Sequence, residues 1–231
     1  MADDISKLCS DFLRECYPGL KATHARELVA AYFGYKSHAA LLADKANSLE
    51  FLDMAAVLVP DVYIINERRD CLNGLPEHLP HSYKLVDELT QFLQSDELFT
   101  GEVWECDDVG DFVIDEYLPE HLSPDLDTEL EKVIASTNAV FEEISYDRAD
   151  VEETRNSVTI IVTGSYSGYS LDDKDFSGDL IDMEITVHLP RCAGRIAFEE
   201  PEIEVVGTVN RDYLKEEHSQ EQQLTASSER N

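Results

Sequence analysis

Basic residues are scarce in this sequence, and their scarcity limits the kinds of partner the protein can have. The 231 residues include 18 lysines and arginines against 49 aspartates and glutamates, which gives a net charge of −31. A field of this sign repels the phosphates of nucleic acids and anionic membranes, and it attracts basic surfaces. We therefore expect no direct contact with nucleic acid or membrane, and we expect a basic partner.

Long apolar runs and paired cysteines are also missing. No stretch approaches the roughly 20 apolar residues that a transmembrane helix needs, and the first residues, MADDISKLCSDF, lack the basic and then apolar layout of a signal peptide. The five cysteines are scattered without a CxxC pair, which is typical of reduced thiols. The sequence therefore predicts a cytoplasmic protein, and its 43% of hydrophobic residues is enough to form a core.

The first part of the chain has the apolar spacing of helices. This spacing predicts a helix over residues 5–17, a second helix that Thr23 caps and Gly34 ends, and a third that Ser37 caps. Residues 1–50 are therefore predicted to be a helical module.

Residues 51–122 are predicted to be a mixed α/β region that is rich in acids. Apolar runs indicate strands over residues 56–65 and 102–106, and helical spacing indicates a helix over residues 82–94.

Residues 123–215 are predicted to hold one helix and then an antiparallel sheet. Ser123 and Pro124 form a helix start signal, and apolar residues continue at helical spacing as far as Ile144. The rest of this segment alternates apolar and polar residues, as strands with one buried face do. Residues 216–231 lack apolar periodicity and are predicted to be a disordered tail. The predicted fold class is α+β.

One stretch resembles a known family. Residues 20–44, LKATHARELVAAYFGYKSHAALLAD, resemble a short helical module found near the N-terminus of many uncharacterised proteobacterial proteins and often labelled glyoxalase-related. The resemblance covers about residues 5–50. Because many of those proteins are carried by plasmids and integrated elements, the resemblance implies a mobile-element origin, and it supplies no catalytic residues.

Acidic residues are concentrated in the middle of the chain. Residues 96–131 hold 14 acids and no lysine or arginine. Several of the acids recur at spacings of three to five residues, so they could share one side of a helix and take the place of a row of phosphates. The predicted partner-binding residues are Asp107, Asp108, Asp111, Asp115, Glu116, Glu120, Asp125, Asp127, Glu129 and Glu131.

These features predict a non-catalytic acidic binding protein without a cofactor. With the mobile-element resemblance, they favour a nucleic-acid mimic that inhibits a host defence complex, as an anti-CRISPR or anti-restriction protein would. The partner would be a basic, nucleic-acid-binding protein surface, and homodimerisation stays open. The sequence has no GxSxG motif that would indicate a catalytic serine.

A divalent-metal protein is the first alternative. The stretch DKDFSGDLIDME, residues 173–184, spaces its oxygen ligands as a calcium-binding loop does, with Asp173, Asp175, Ser177 and Glu184 as candidate ligands. The glyoxalase-related label implies a different metal site, in which Glu184 and His188 share one strand face.

Two weaker patterns complete the alternatives. Cys71, His78 and His81 are zinc-ligand types, but they lack a fourth partner. The helices predicted over residues 23–34 and 37–48 resemble a helix-turn-helix in outline, which would suit a DNA-binding regulator. Their charges are balanced, so we expect packing or dimerisation of these helices, and DNA contact is the alternative.

Overall fold

The computed structural model describes residues 2–122, 126–137, 139–170 and 180–210. Within them the chain combines helices with a largely antiparallel sheet, so the predicted α+β class is confirmed. None of the described helices is both long enough and apolar enough to cross a membrane.

Three helices open the chain, as predicted, and they are α1 (Ala2–Cys16), α2 (Ala22–Tyr32) and α3 (His38–Ala43). Gly34 follows α2 with a φ of +82°, a left-handed conformation that glycine adopts without strain and that ends the helix. The Ser37 hydroxyl accepts a hydrogen bond from the N–H of Ala40 at 3.2 Å and caps α3.

The predicted cap of α2 at Thr23 is wrong. The helix begins at Ala22, and the preceding residue, Lys21, makes no side-chain capping bond. Buried residues along α2, including Leu28 and Val29, stabilise the helix through packing, so it does not depend on a cap.

The first predicted strand is mostly wrong. β1 covers only Val57–Leu58, and the rest of the strand predicted over residues 56–65 is replaced by the start of α4 (Val62–Cys71). The Asp61 carboxylate accepts hydrogen bonds from two N–H groups in the first turn of α4, at 2.7 and 3.4 Å. This side-chain cap starts a helix where the apolar run alone indicated a strand.

The next two predicted elements are present. α5 spans Ser82–Ser95, as predicted. β2 is shorter than predicted, Glu102–Val103, and pairs in parallel with β1.

The acidic middle of the chain forms short helical pieces, which are α6 (Val109–Phe112), a π-helical turn (Val113–Tyr117), α7 (Leu118–His121), α8 (Leu126–Glu129) and α9 (Glu131–Ile134). The start signal at Ser123 and Pro124 lies outside the described residues.

The prediction that this helix continues as far as Ile144 is wrong. The hydroxyls of Ser136 and Thr137 donate hydrogen bonds back to the carbonyls of Val133 and Ile134, at 2.6 and 2.8 Å, and thereby satisfy groups at the end of α9. The chain then enters a strand at residue 139.

In the described part of the chain five further strands follow, which are β3 (Ala139–Glu153), β4 (Ser157–Ser170), β5 (Leu180–Ala193), β6 (Ala197–Phe198) and β7 (Glu202–Asn210). The strand order is β2-β1-β6-β5-β4-β3, with β7 paired to β5. β6 is antiparallel to both β1 and β5. Along β5, Ile181, Met183 and Ile185 are buried while Asp182 and Glu184 are exposed, so the predicted period of two is confirmed.

The described residues divide into two compact units. Unit 1 comprises the described residues up to 112 with 151–159 and 188–202, and its core includes Tyr32, Phe33 and Leu89. Unit 2 comprises the described residues of 113–150, of 160–187 and from 203 onward. Both units are assembled from separate stretches of chain. The four consecutive segments taken from the sequence, 1–50, 51–122, 123–215 and 216–231, stay a prediction, and the last of them lies outside the described residues.

Candidate functional site

Nine of the ten predicted partner-binding acids lie in described residues, and all nine are exposed. The tenth, Asp125, lies outside the described residues. Asp107, Asp108 and Asp111 belong to unit 1. The six that belong to unit 2 are Asp115, Glu116, Glu120, Asp127, Glu129 and Glu131. Each set is exposed within its own unit. That both sets bind the same partner stays a prediction.

Two of the unit 1 acids make local hydrogen bonds. The Asp108 carboxylate accepts from the N–H groups of Gly110 and Asp111, at 2.7 and 3.1 Å, so it caps α6. The hydroxyl of Tyr83 donates to Asp107 at 3.5 Å. Asp108 therefore has a structural role, which makes its replacement a poor test of partner binding.

Asp127 has a structural role in unit 2. It accepts a hydrogen bond from the hydroxyl of Tyr166 at 2.8 Å, and that hydroxyl also lies 3.1 Å from the carbonyl oxygen of Phe141. Burial, the hydrogen bond to Asp127 and the negative charge of Asp127 raise the pKa of Tyr166 to about 12. The bond ties α8 to β4.

Unit 2 as a whole exposes an unusual excess of carboxylates. Its described residues contain thirteen aspartates and glutamates, and every one is exposed. They contain two lysines and arginines, Lys132 and Arg148, so the net charge of this part is 2 − 13 = −11. The Arg148 guanidinium forms an ion pair with Asp150. We call the thirteen carboxylates the acidic surface set of unit 2.

Seven members of this set were absent from the predicted site, namely Glu142, Glu143, Asp147, Asp150, Asp182, Glu184 and Glu204. Four of them lie on β3, whose first part, as far as Ile144, was predicted to be helix. The alternation of exposed and buried residues along β5 and β7 was the signal that could have added Asp182, Glu184 and Glu204.

The metal hypotheses fall partly outside the described residues. Asp173, Asp175 and Ser177 of the calcium hypothesis are not among the described residues, and Glu184 is an exposed residue of β5. The ring of His188 lies 3.1 Å from the hydroxyl of Thr159. Within residues 2–122, 126–137, 139–170 and 180–210, no group of three or more histidines, cysteines or acids is arranged to hold a metal ion, and Cys71, His78 and His81 form no such group.

The second helix of the helix-turn-helix outline is short. α3 has six residues, HAALLA, and none of them is lysine or arginine. Leu41 is buried, whereas Ala39 and Ala40 are exposed. A DNA-reading helix presents basic and polar side chains to phosphates and base edges, and α3 offers few such groups.

Unit 1 contains two adjoining grooves. The first has a volume of about 740 Å³ and lies between the turn after α2, the start of α4 and β6. The second has a volume of about 580 Å³ and lies between α5 and β2. Pro60, Val62, Tyr83, Cys106 and Asp107 line both grooves.

A buried arginine at the first groove serves the fold. The Arg191 side chain is 1% exposed. It donates to the carbonyls of Thr154, Arg155 and Arg195 at 2.7 to 3.1 Å and pairs with Glu153 at 2.9 Å. These bonds fix the turn between β3 and β4 within unit 1, so Arg191 has little capacity left for a ligand.

Asp44 forms a second polar centre in unit 1. Its carboxylate accepts from Arg155 at 2.7 Å, from Tyr35 at 3.0 Å and from Asn47 at 3.1 Å. Burial by itself would raise the pKa of this carboxyl, but the three hydrogen bonds and the charge of Arg155 outweigh it and hold the pKa well below its usual range.

Comparison of the chain with protein-family models, with curated proteins and with solved structures found no match.

Proposed function

We propose that this protein is a non-catalytic binding protein whose acidic unit 2 occupies a basic, nucleic-acid-contacting surface of another protein. The observation that carries the proposal is the acidic surface set, which is thirteen exposed carboxylates beside two bases. Most of these carboxylates have no role in the core of the unit, and their number exceeds what a small domain needs for solubility. The basic surface of the partner and the carboxylates of unit 2 attract each other through complementary charges. This attraction increases the association rate, and salt screens it.

In its more specific form, the proposal is that the protein blocks a host defence complex, as an anti-CRISPR or anti-restriction protein does. Only the resemblance of residues 20–44 to mobile-element proteins supports this step. The acidic surface set supports a basic partner of any origin.

The test reverses four acids of unit 2 that the structure gives no capping role. In the full-length chain, Asp115, Glu120, Glu129 and Glu131 are replaced by lysine. A matched control reverses four exposed acids of unit 1 that line neither groove, namely Glu50, Asp53, Asp70 and Glu77. Both variants gain the same charge, so a difference between them reports position and not net charge.

Wild-type protein and both variants are used to capture partners from a bacterial lysate at low salt, and captured proteins are tested for competition with duplex DNA and with single-stranded RNA. We expect a nucleic-acid-binding partner whose affinity falls at least about tenfold in the unit 2 variant, and much less in the control. A partner that binds all three proteins equally at every salt concentration would refute the proposal.

A further inference from the structure

The groove between α5 and β2 has the geometry of a strand-addition site. β2 is the end strand of the sheet in the part of the chain that the structure describes. The N–H groups of Glu102 and Trp104 donate to the carbonyls of Ala56 and Leu58, both at 2.8 Å, which uses the side of β2 that faces β1. Because backbone groups alternate along a strand, the N–H group of Val103 points to the other side, away from β1.

The walls of this groove suit an extended chain. Val103 of β2 lines it, as does Glu105, two residues further along the chain. Tyr83, Val86 and Thr90 line it from α5, at spacings that place them on one helix face. An extended peptide that lies between a helix and an edge strand gains main-chain hydrogen bonds from the strand and side-chain pockets from the helix.

The charges along the groove define the chemistry of its ligand. Asp87, Glu105 and Asp107 line it and are exposed. Lys84 also lines it, but its ammonium lies 3.6 Å from the carboxylate of Glu88. The lining therefore carries an acidic excess, and it favours lysine or arginine on a bound chain.

Tyr83 extends the site. It lines both grooves of unit 1, and it is 58% exposed, which is unusual for a large aromatic side chain. Exposed tyrosines are common anchors at protein interfaces, because one end is apolar and the other end forms hydrogen bonds.

We infer that the groove between α5 and β2 binds an extended segment of a partner protein that carries both basic and apolar residues, and that this segment adds a strand to β2. The basic residues face Asp87, Glu105 and Asp107, and the apolar residues contact Val86 and Val103. This binding site belongs to unit 1 and uses backbone hydrogen bonds, so it goes beyond the function proposed for unit 2.

The experiment selects binders from a library of random twelve-residue peptides displayed on phage, with the full chain as bait, and measures the affinity of synthetic copies. Glu105→Lys and Tyr83→Ala change exposed groove residues, and Glu77→Lys is the matched control because Glu77 is exposed and lines neither groove. Each selected peptide is also made with alternate backbone amides methylated, which removes the donors that strand addition needs. Thermal unfolding of each variant verifies that it is folded.

We expect selected peptides to carry both basic and apolar residues, to lose at least about tenfold in affinity with Glu105→Lys and with Tyr83→Ala, and to lose as much on amide methylation. Glu77→Lys should change the affinity by no more than about twofold. The inference is overturned if no peptide is enriched, if the groove variants bind as well as wild type, or if methylated peptides bind equally well. The four charge reversals in unit 2 should change the peptide affinity by no more than about twofold at 0.3 M salt. The peptide experiment can therefore fail or succeed independently of the test of the proposed function.

Discussion

The guanidinium of Arg191 donates to two backbone carbonyls in the turn between β3 and β4, those of Thr154 and Arg155, and to the carbonyl of Arg195. Arg191→Met keeps an unbranched apolar side chain and removes these donors, so it should lower the free energy of unfolding by about 2–4 kcal/mol. Glu153 is 59% exposed, and Glu153→Gln should therefore cost no more than about 1 kcal/mol. Chemical denaturation of the two variants measures both costs. Equal costs would mean that the ion pair, and not the carbonyl bonds, fixes the turn.

Asp44 should make the stability of unit 1 depend on pH. Its pKa is lower in the folded state than in the unfolded state, where it is about 3.9. Its contribution to the free energy of unfolding is therefore fully present above the unfolded-state pKa and is lost as the pH falls through the folded-state pKa. Asp44→Asn should cost about 1–3 kcal/mol at pH 7, because a charged acceptor for Arg155 is lost.

The difference between wild type and Asp44→Asn should therefore be constant from pH 7 to about pH 5 and shrink below about pH 4. Denaturant titrations at a series of pH values measure it. A difference that grew as the pH fell would contradict the assignment of Asp44 as the group with the depressed pKa.

At the scale of elements, β4 is shaped by glycines that let β3 approach. A Cβ on Gly164 would lie 2.3 Å from the carbonyl oxygen of Ser145, which is backbone and cannot move aside without distorting β3. A Cβ on Gly207 would instead meet side-chain atoms of Leu130 and Ile181, at 2.7 and 2.9 Å. Side chains adjust more easily than paired backbone.

Gly164→Ala should consequently destabilise unit 2 by about 1–3 kcal/mol, and Gly207→Ala should cost clearly less. Thermal unfolding of the two variants compares them. A larger cost at Gly207 would show that the contact with Leu130 and Ile181 is the more rigid of the two.

The elements that sequence reasoning identified are those whose signals are local. α1 and α5 follow from apolar residues at helical spacing. Gly34 marks the end of α2 through its backbone conformation, and Ser37 marks the start of α3 through its side chain. The first part of β3 was predicted to be helix because Val140, Phe141 and Ile144 fit helical spacing as well as a strand. Pairing with β4, where Gly164 and Gly168 admit the backbone of β3, decides between them, and that pairing is not visible in the β3 sequence.

At the scale of the whole molecule, the nine described acids of the predicted site are exposed, and their role in partner binding stays a prediction. Exposure of the nine described acids follows from their type, because carboxylates are rarely buried without partners. Their grouping could not be deduced, because unit 2 joins residues 113–150 with parts of β4, β5 and β7 that come much later in the chain. The structure groups acids such as Asp182 and Glu204 with the unit 2 members of the predicted site, and it assigns Asp107, Asp108 and Asp111 to unit 1.

The charge of unit 2 should also limit its own stability. Thirteen exposed carboxylates beside two bases repel one another, and the repulsion weakens as salt shortens the screening length from about 30 Å at 0.01 M to about 3 Å at 1 M. Raising NaCl from about 0.01 to 0.5 M should therefore stabilise the wild-type protein by on the order of 1 kcal/mol, or roughly 2–4 °C in Tm.

Replacing Asp115, Glu120, Glu129 and Glu131 by lysine changes the charge of the described part of unit 2 from −11 to −11 + 8 = −3. This variant should be more stable than wild type at low salt and should gain less from added NaCl, and scanning calorimetry of both proteins measures the two responses. If the Tm of both proteins does not change with NaCl concentration, the carboxylates are too far apart to repel one another. They are then also too far apart to act together on a basic partner.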